Sequence, residues 1–176
     1  MSRPKTTVMS YRDLIQQSNP AQSWWELAAL LSLIRENGLR PQRVLEIGVH
    51  QGGSTRVWRA AWRPHQLIGV DSSHDVVFST GLGLQMIYGR SQDVDVQRRV
   101  SDLVAPEGGL DFLFLDGGHE YDEARADWDT YVPHVRPGGA VGLHDVVAVP
   151  GPRRLWEEIR QGRRTAVFYD ESSDGT

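Results

Sequence analysis

Cysteine is missing from this sequence of 176 residues. Disulfide bridges, thiolate metal sites and a cysteine nucleophile are therefore excluded, and the composition agrees with a reducing cytoplasm, the compartment we expect. Carboxylates, imidazoles and backbone amides remain to carry any chemistry. An excess of positive charge is also missing, because 19 basic side chains stand against 23 acidic ones. We therefore expect a small-molecule partner rather than nucleic acid or a membrane.

Long hydrophobic runs are the third absence. The N-terminal stretch Met1–Thr7 is polar, and no apolar run approaches the roughly 20 residues that cross a bilayer. We expect neither a signal peptide nor a membrane span. The length suits one domain with a sizeable core, and so one active site. Association into a homo-oligomer stays open at this level.

Short apolar runs and helical patterns alternate after Pro41. The runs are too brief for buried helices and predict strands that are buried on both faces. The alternation predicts an α/β fold, with a mainly parallel sheet, helices on both faces and right-handed crossovers. The predicted strands are Arg43–Ile47, Leu67–Val70, Leu84–Tyr88, Asp111–Leu115, Gly139–Leu143 and Thr165–Tyr169, and the predicted helices cover about 53–63, 94–104, 121–133 and 152–161.

Two boundary regions are less regular. Residues 1–22 show no sustained period and are either a loose arm or a lid over a pocket, so we place the domain at 23–176. The stretch Ser72–Gly83 is short and turn-rich, which predicts a stunted helix between the second and third strands. Because the sequence stops at Thr176, just beyond the sixth predicted strand, we expect that a final antiparallel strand is missing.

A further helix is predicted directly after the N-terminal segment. Ser23–Glu26 is a capping-box pattern, and apolar residues then recur at helical spacing until Asn37 and Gly38. The pattern predicts one helix with a single buried stripe. The stripe consists of Trp24, Leu27, Leu31 and Ile34.

Glycines follow the first predicted strand in the spacing Gly48-x-x-x-Gly52-Gly53 and open a helix. Glycine lets a ligand approach the backbone, and a helix N-terminus offers free amides to a carboxylate or phosphate. The spacing is not the G-x-G-x-x-G of dinucleotide sites, which counts against NAD. His50, inside the turn, is either a pocket residue or a loop contact. Asp71 ends the second strand, where an acid suits ribose hydroxyls; the alternative is a tight turn with a solvated aspartate.

A second group of polar residues follows the fourth and fifth predicted strands. Asp116 ends a buried strand, His119 comes three residues later, and His144 with Asp145 ends the next strand. Parallel neighbours would bring these side chains to one carboxyl edge, where ligands bind. Simpler alternatives remain open: Asp116 caps a helix, His119 is a surface residue held by Asp127, and His144 faces into packing.

The glycine turn and its neighbours resemble the class I S-adenosylmethionine-dependent methyltransferases over roughly residues 23–169. Val44–Thr55 resembles their first motif, Leu67–Asp71 their second, and Gly89–Asp93 the segment that catechol-type O-methyltransferases place around adenine. The resemblance implies a single-domain Rossmann-like fold and S-adenosylmethionine as cofactor. It implies that Glu46, Gly48, Gly52 and Ser54 receive the methionine part, Asp71 the ribose, Ser91 and Gln92 the adenine, and that Asp116 borders cofactor and acceptor.

The second group resembles the bacterial methyltransferases related to macrocin O-methyltransferase and to the so-called cephalosporin hydroxylases. In that group the positions of Asp116, His144 and Asp145 ligate magnesium, and a histidine placed like His119 is the base. Here His144 replaces an acid, which favours softer ions such as manganese, iron or zinc. The resemblance implies metal-assisted O-methylation of a small-molecule hydroxyl, with Asp116 and His119 catalytic. The rivals are a catalytically silent cofactor-binding or partner-binding module and a nicotinamide oxidoreductase.

Overall fold

Five strands, six α-helices and two short 3₁₀ helices, Ala105–Glu107 and Val132–His134, make up the part of the chain that the computed structural model describes, residues 10–74 and 83–168. All the strand pairs are parallel, so the predicted α/β fold is confirmed. The strands are β1 (Arg43–Ile47), β2 (Gln66–Asp71), β3 (Leu84–Tyr88), β4 (Leu110–Leu115) and β5 (Val135–Leu143), and the helices are α1 (Tyr11–Ser18), α2 (Trp24–Glu36), α3 (Gly53–Trp62), α4 (Val94–Val104), α5 (Tyr121–Tyr131) and α6 (Pro150–Ile159).

Helices cover both faces of the sheet, as predicted, because successive side chains of a strand point to opposite sides. On one face Leu45 and Leu113 share a core cluster with Val100 of α4. On the other face Val44 and Phe112 pack in a cluster that includes residues of α1, α2 and α3. The strand order is β3-β2-β1-β4-β5, so the direction of winding reverses between β1 and β4. Ligands bind open α/β sheets at such a reversal.

The outer strands differ from the prediction in burial and length. β1 and β4 are buried along almost their whole length, whereas β3 and β5 are partly exposed because each has one neighbour in the described sheet. β5 begins at Val135 rather than Gly139, and its pairing with β4 is irregular between Leu110 and Phe112. The predicted full burial therefore applies to the centre of the sheet.

The sixth predicted strand is wrong over the residues that can be compared. Residues 165–168 form no strand and are mostly exposed, while Tyr169 lies outside the described residues. They do not pair with β5, which stays at the edge of the described sheet. Most of Ser72–Gly83 also lies outside the described residues, so the stunted crossover stays a prediction. No described helix is both long and apolar enough to cross a membrane.

Helix α1 is an element that the sequence pattern did not predict. Ile15 is fully buried in the same cluster as Leu31 and Trp58, so α1 belongs to the core on one face of the sheet. The Ser10 side chain accepts a hydrogen bond from the backbone amide of Asp13 at 3.2 Å and caps the helix. The spacing of Ser10 and Asp13 was the available signal, but one short turn pattern is easily missed.

Helix α2 begins at Trp24 and buries Leu27, Leu31 and Ile34, as predicted. Two details of that prediction are wrong. The Ser23 side chain makes no capping hydrogen bond, and the helix begins with the Leu27 amide donating to the Ser23 carbonyl at 3.2 Å. Trp24 is 41% exposed, because it lies in the first turn with the guanidinium of Arg12 5.0 Å from its ring centroid. A cation–π contact at the surface replaces core packing there.

Candidate functional site

A cleft of about 670 Å³ opens at the carboxyl edge of the sheet, at the reversal between β1 and β4. Its walls come from the chain after α1, the turn after β1, the ends of β2 and β3, and the loops after β4 and β5. Two predicted residues, Glu46 and Gly52, do not line it. The predicted residues that do line it are Gly48, Ser54, Asp71, Ser91, Gln92, Asp116, His119, His144 and Asp145.

The glycines of the turn allow segments of the chain itself to approach each other. Gly48 has φ +84°, and a Cβ on it would collide with the backbone carbonyl of Asp116. A Cβ on Gly53 would collide with the backbone of Pro20, in the segment after α1. Gly52 has φ +71° and caps α3. The turn is therefore tight because two neighbouring segments press against it, and this contact fixes the floor of the cleft.

Glu46 lies beneath the cleft rather than in its wall. Its side chain is fully buried and accepts hydrogen bonds from the hydroxyls of Ser54 and Thr55 in the first turn of α3. Burial raises the pKa of Glu46 to about 8, against the opposing effect of these bonds. Of this group only Ser54 reaches the cleft, so Glu46 acts on the site by holding Ser54 in place.

Asp71 ties the end of β2 to the glycine turn. One carboxylate oxygen accepts the backbone amides of Val49 at 2.9 Å and His50 at 2.7 Å, and the other accepts the amide of Ser73 at 2.8 Å. The alternative of a merely solvated aspartate is therefore wrong. His50 has φ +49° and lines the cleft. Because each carboxylate oxygen has more than one acceptor position, Asp71 can still receive a ligand hydroxyl.

Ser91 and Gln92 form the wall that follows β3. The Gln92 amide donates to the Ser91 hydroxyl and to the Asp127 carboxylate, both at 2.9 Å, and the Tyr131 hydroxyl donates to the Ser91 carbonyl at 2.6 Å. Burial raises the pKa of Asp127 to about 6. These bonds anchor the segment to α5. They also occupy Asp127, which is thus not the partner of His119.

Asp116, His144 and Asp145 form a cluster with the geometry of a metal site. One ligand atom from each lies within 4.8 Å of the others. His144 Nδ1 is 3.0 Å from Asp116 Oδ1 and 3.3 Å from Asp145 Oδ1, yet these contacts lack the alignment of hydrogen bonds and leave this buried nitrogen without a hydrogen-bond partner. Two carboxylate oxygens and an unpartnered imidazole nitrogen this close together are a suitable set of ligands for a divalent cation.

The electrostatics of this cluster favour positive charge. Burial lowers the pKa of His144, but the neighbouring Asp116 and Asp145 outweigh burial and raise it to about 10. A cation that His144 ligates must therefore displace the proton of this ring. Contact with His144 in turn holds the pKa of Asp145 below its usual range, against the effect of burial. Asp116 caps no helix, since Glu120 precedes α5, so that alternative for Asp116 is wrong. His144 directs Nδ1 at the carboxylates, while its ring centroid lies 6.3 Å from that of Phe114, so the residue both packs and faces the cluster.

His119 lies beside the cluster and remains accessible. Its Nε2 is 2.9 Å from Asp145 Oδ2, and its side chain is 60% exposed. A carboxylate only accepts hydrogen bonds, so Nε2 carries the proton in the neutral ring and Nδ1 is left with a free lone pair. The residue that holds His119 is Asp145 and not Asp127. His119 is therefore held by Asp145 in the lining of the cleft, with one ring nitrogen able to accept a hydrogen bond.

Gln22 is the site residue that sequence reasoning missed. It follows α1, lines the cleft and donates its side-chain amide to Asp116 Oδ2. No motif marks it, because it lies in the aperiodic segment 1–22 and meets Asp116 through tertiary packing alone. Only the three-dimensional structure brings these distant residues together.

Comparison with known proteins supports the resemblance to methyltransferases. Mycinamicin VI 2''-O-methyltransferase of Micromonospora griseorubida is 32% identical over 111 residues, which are 59% of this chain and 27% of that protein. The chain thus spans about a quarter of the length of that relative. A profile of the family described as "Methyltransferase domain" matches residues 45–146.

Solved structures share the fold. MycE methyltransferase from the mycinamycin pathway, in complex with Mg, SAH and mycinamycin VI, superposes with a TM-score of 0.60 at 24% identity and covers 78% of this chain and 39% of its own. An O-methyltransferase from Bacillus cereus in complex with SAH gives a TM-score of 0.64 at 20% identity, covering 89% of this chain and 81% of its own. With a family profile matching more than half of its residues, the chain belongs to the methyltransferase-domain family.

Proposed function

We propose that this chain transfers a methyl group from S-adenosylmethionine to a hydroxyl of a small molecule, assisted by a divalent cation. The observation that carries the proposal is a single cleft, which places the glycine turn, Asp71 and the Ser91-Gln92 wall beside the Asp116 cluster. The Micromonospora relative is named for O-methylation, and the MycE structure holds Mg and SAH. These names support the same chemistry here.

The cleft suits each part of the cofactor. The N-terminus of α3 and the Ser54 hydroxyl offer donors to a carboxylate. Asp71 offers acceptor positions to ribose hydroxyls at the end of β2, and Ser91 with Gln92 offers polar groups to adenine. Glu46 supports this arrangement from below through Ser54. In this proposal Gly48 and Gly52 shape the turn that receives the methionine part.

Alignment and proton removal are the tasks left to the protein. When bound, S-adenosylmethionine supplies an electrophilic methyl group, and a divalent cation lowers the pKa of a coordinated hydroxyl. Asp116, His144 and Asp145 would hold the cation. Asp145 Oδ2 orients His119, whose Nδ1 accepts the acceptor's proton. No covalent intermediate with the protein is needed.

Replacing the proposed base tests this function. A positioned base contributes about 10²–10⁴-fold, so His119→Ala should lower kcat by that factor and leave binding of S-adenosylhomocysteine (SAH) nearly unchanged. Turnover can be followed as SAH release with a panel of hydroxylated small molecules that includes mycinamycin VI. His65→Ala is the matched control, because His65 is exposed and lies outside the cleft.

Other outcomes would contradict the proposal. Normal turnover by His119→Ala would assign the base to another group. Tight SAH binding without turnover of any hydroxyl compound would support the catalytically silent module. Binding of NAD in place of SAH would support the oxidoreductase.

A further inference from the structure

Gly151 brings the first turn of α6 against the backbone of His119. A Cβ on Gly151 would lie 2.2 Å from the carbonyl oxygen of His119 and 2.7 Å from the amide nitrogen of Tyr121. Both atoms belong to the main chain and cannot rotate away as a side chain does, so glycine alone fits here while the two segments keep their places. The backbone of His119 is thus in direct contact with α6.

The segment that leads into α6 also holds the His119 side chain. Nε2 of His119 is 2.9 Å from Asp145 Oδ2, and the segment Asp145–Gly151 runs from just after β5 into the first turn of α6. Asp145 has φ +60°, and its carbonyl accepts the Val149 amide at 3.1 Å, which closes the turn between β5 and α6. One short segment therefore contacts His119 both at its side chain and at its carbonyl.

Helix α6 is fastened to α5, which begins two residues after His119. The Tyr121 hydroxyl donates to the Glu158 carboxylate of α6 at 2.8 Å. Leu155 of α6 lies with Ala124 of α5 in a buried cluster of its own. The helix is therefore a fixed support, and the place of the His119 carbonyl depends on it.

We propose that Gly151 is a positioning residue for the methyl transfer, because the absence of a side chain there lets α6 set where the imidazole of His119 lies. The inference rests on the proposed function, in which His119 accepts the proton. A Cβ 2.2 Å from the His119 carbonyl is about 1 Å closer than ordinary contact, so an alanine must separate the two segments by a distance of that order. A misplacement of about 1 Å can lower a rate by about 10²-fold. The size of residue 151 should therefore control kcat.

Kinetics and ligand binding of Gly151→Ala test the inference. The variant should lower kcat by about 10–100-fold, since the base is displaced, while the KM for S-adenosylmethionine and the affinity for SAH stay within about twofold of wild type. The affinity for Mn²⁺ should also stay within about twofold, because Gly151 contacts the His119 backbone and not the Asp116 cluster. A crystal structure of the variant should show His119 Nε2 beyond hydrogen-bond distance of Asp145 Oδ2.

A double-mutant cycle separates positioning from general damage. In the His119→Ala background, Gly151→Ala should change kcat by less than about twofold, because the base that it displaces is no longer there. Tyr121→Phe removes the hydroxyl that donates to Glu158 and adds no atom, so it carries the test where Gly151→Ala fails to fold. It should give the same pattern with a loss of kcat of about two- to tenfold, the range that one hydrogen bond supplies.

Gly162→Ala is the matched control just beyond the other end of α6. The φ of +70° at Gly162 disfavours alanine, yet no described atom lies within 4 Å of a Cβ there, so stability should fall while kcat stays unchanged. Normal kcat in Gly151→Ala, a parallel loss of SAH or Mn²⁺ affinity, or an equal loss of kcat in the His119→Ala background would overturn the inference while the proposed function stands. Wild-type protein that methylates no hydroxyl compound would overturn the proposed function, and the inference with it.

Discussion

Strand β4 carries an aspartate at each end, and their surroundings are opposite. Asp111, near the amino end, has both carboxylate oxygens occupied. One accepts the backbone amides of Gln42 at 2.8 Å and Arg43 at 2.9 Å, and the other accepts the guanidinium of Arg136. Among the described residues, Asp116, after the carboxyl end, accepts the Gln22 amide at Oδ2, while Oδ1 meets a His144 nitrogen that has no aligned hydrogen bond.

The comparison separates structure from function along one strand. The Asp111 side chain is 4% exposed and Asp116 is 13% exposed. Burial opposes ionisation of Asp111, but the two backbone amides and Arg136 outweigh it and hold the pKa of Asp111 below its usual range. A fully bonded acid locks the chain, whereas an incompletely bonded one retains capacity for a ligand.

The largest effect should come from removing Asp111 at the amino end of β4, and it should appear in the free energy of unfolding. Asp111→Ala leaves two backbone amides and the half-exposed Arg136 without their acceptor, and each donor left unpaired costs about 1–3 kcal/mol when it is buried. Asp116→Ala should change the free energy of unfolding far less. Urea denaturation of both variants checks this difference. Equal losses would mean that both aspartates are structural.

The pH dependence of the same variant gives a second measure of Asp111. A depressed pKa in the folded state contributes stability above the unfolded value of 3.8, and that stability is lost as the pH falls through the folded value. Asp111→Ala should therefore flatten the acid side of the stability profile. An unchanged acid limb would show that other carboxyl groups dominate it.

Glu46 extends the comparison to an acid that reaches neither edge. Its pKa rises from 4.5 to about 8 on folding. The contribution of Glu46 to the free energy of unfolding is therefore complete below pH 4.5 and is lost as the pH rises toward 8. The slope is about 1.4 kcal/mol per pH unit. Glu46→Gln removes the titration and should remove this component from urea unfolding followed across that range. Ser54 and Thr55 can bond to the new amide. A wild-type slope in the variant would contradict the assignment.

A smaller effect is expected at the carboxyl end of β4, on the affinity of the Asp116 cluster for a metal ion. Loss of a residue that only supports a metal ligand weakens metal affinity by about 10–100-fold. Asp145 is a proposed ligand itself, so Asp145→Asn should weaken Mn²⁺ binding by about 100-fold or more. Titration calorimetry measures it, with Asp102→Asn on the exposed side of α4 as control. His144→Glu supplies a third carboxylate and should shift preference toward Mg²⁺. Full turnover after chelation would remove the metal from the mechanism.

Local patterns predicted the centre of the molecule and missed what depends on packing between distant segments. The buried runs Arg43–Ile47 and Asp111–Leu115 are apolar enough to fix strands, and parallel neighbours then bring Asp116 and Asp145 together. The role of Gly53 was invisible, because it accommodates Pro20 rather than showing a motif. The strand predicted over Thr165–Tyr169 is wrong at residues 165–168 for the converse reason: strand-like composition makes no strand unless a neighbour pairs with it.

The smallest effect is expected at Asp71, which lies at the same carboxyl edge of the sheet, and it concerns the affinity for SAH. Asp71→Ala should weaken SAH binding by roughly 1–3 kcal/mol, because hydrogen bonds from ribose hydroxyls to a charged group are lost. Its carboxylate also holds the amides of Val49 and His50, so a distorted turn is the competing cause. Calorimetry with two ligands separates the causes. Methylthioadenosine keeps the ribose, so ribose loss weakens both ligands equally, while a distorted turn weakens SAH more because only SAH has the amino-acid part. Unchanged affinity in a folded variant would place the nucleoside away from β2.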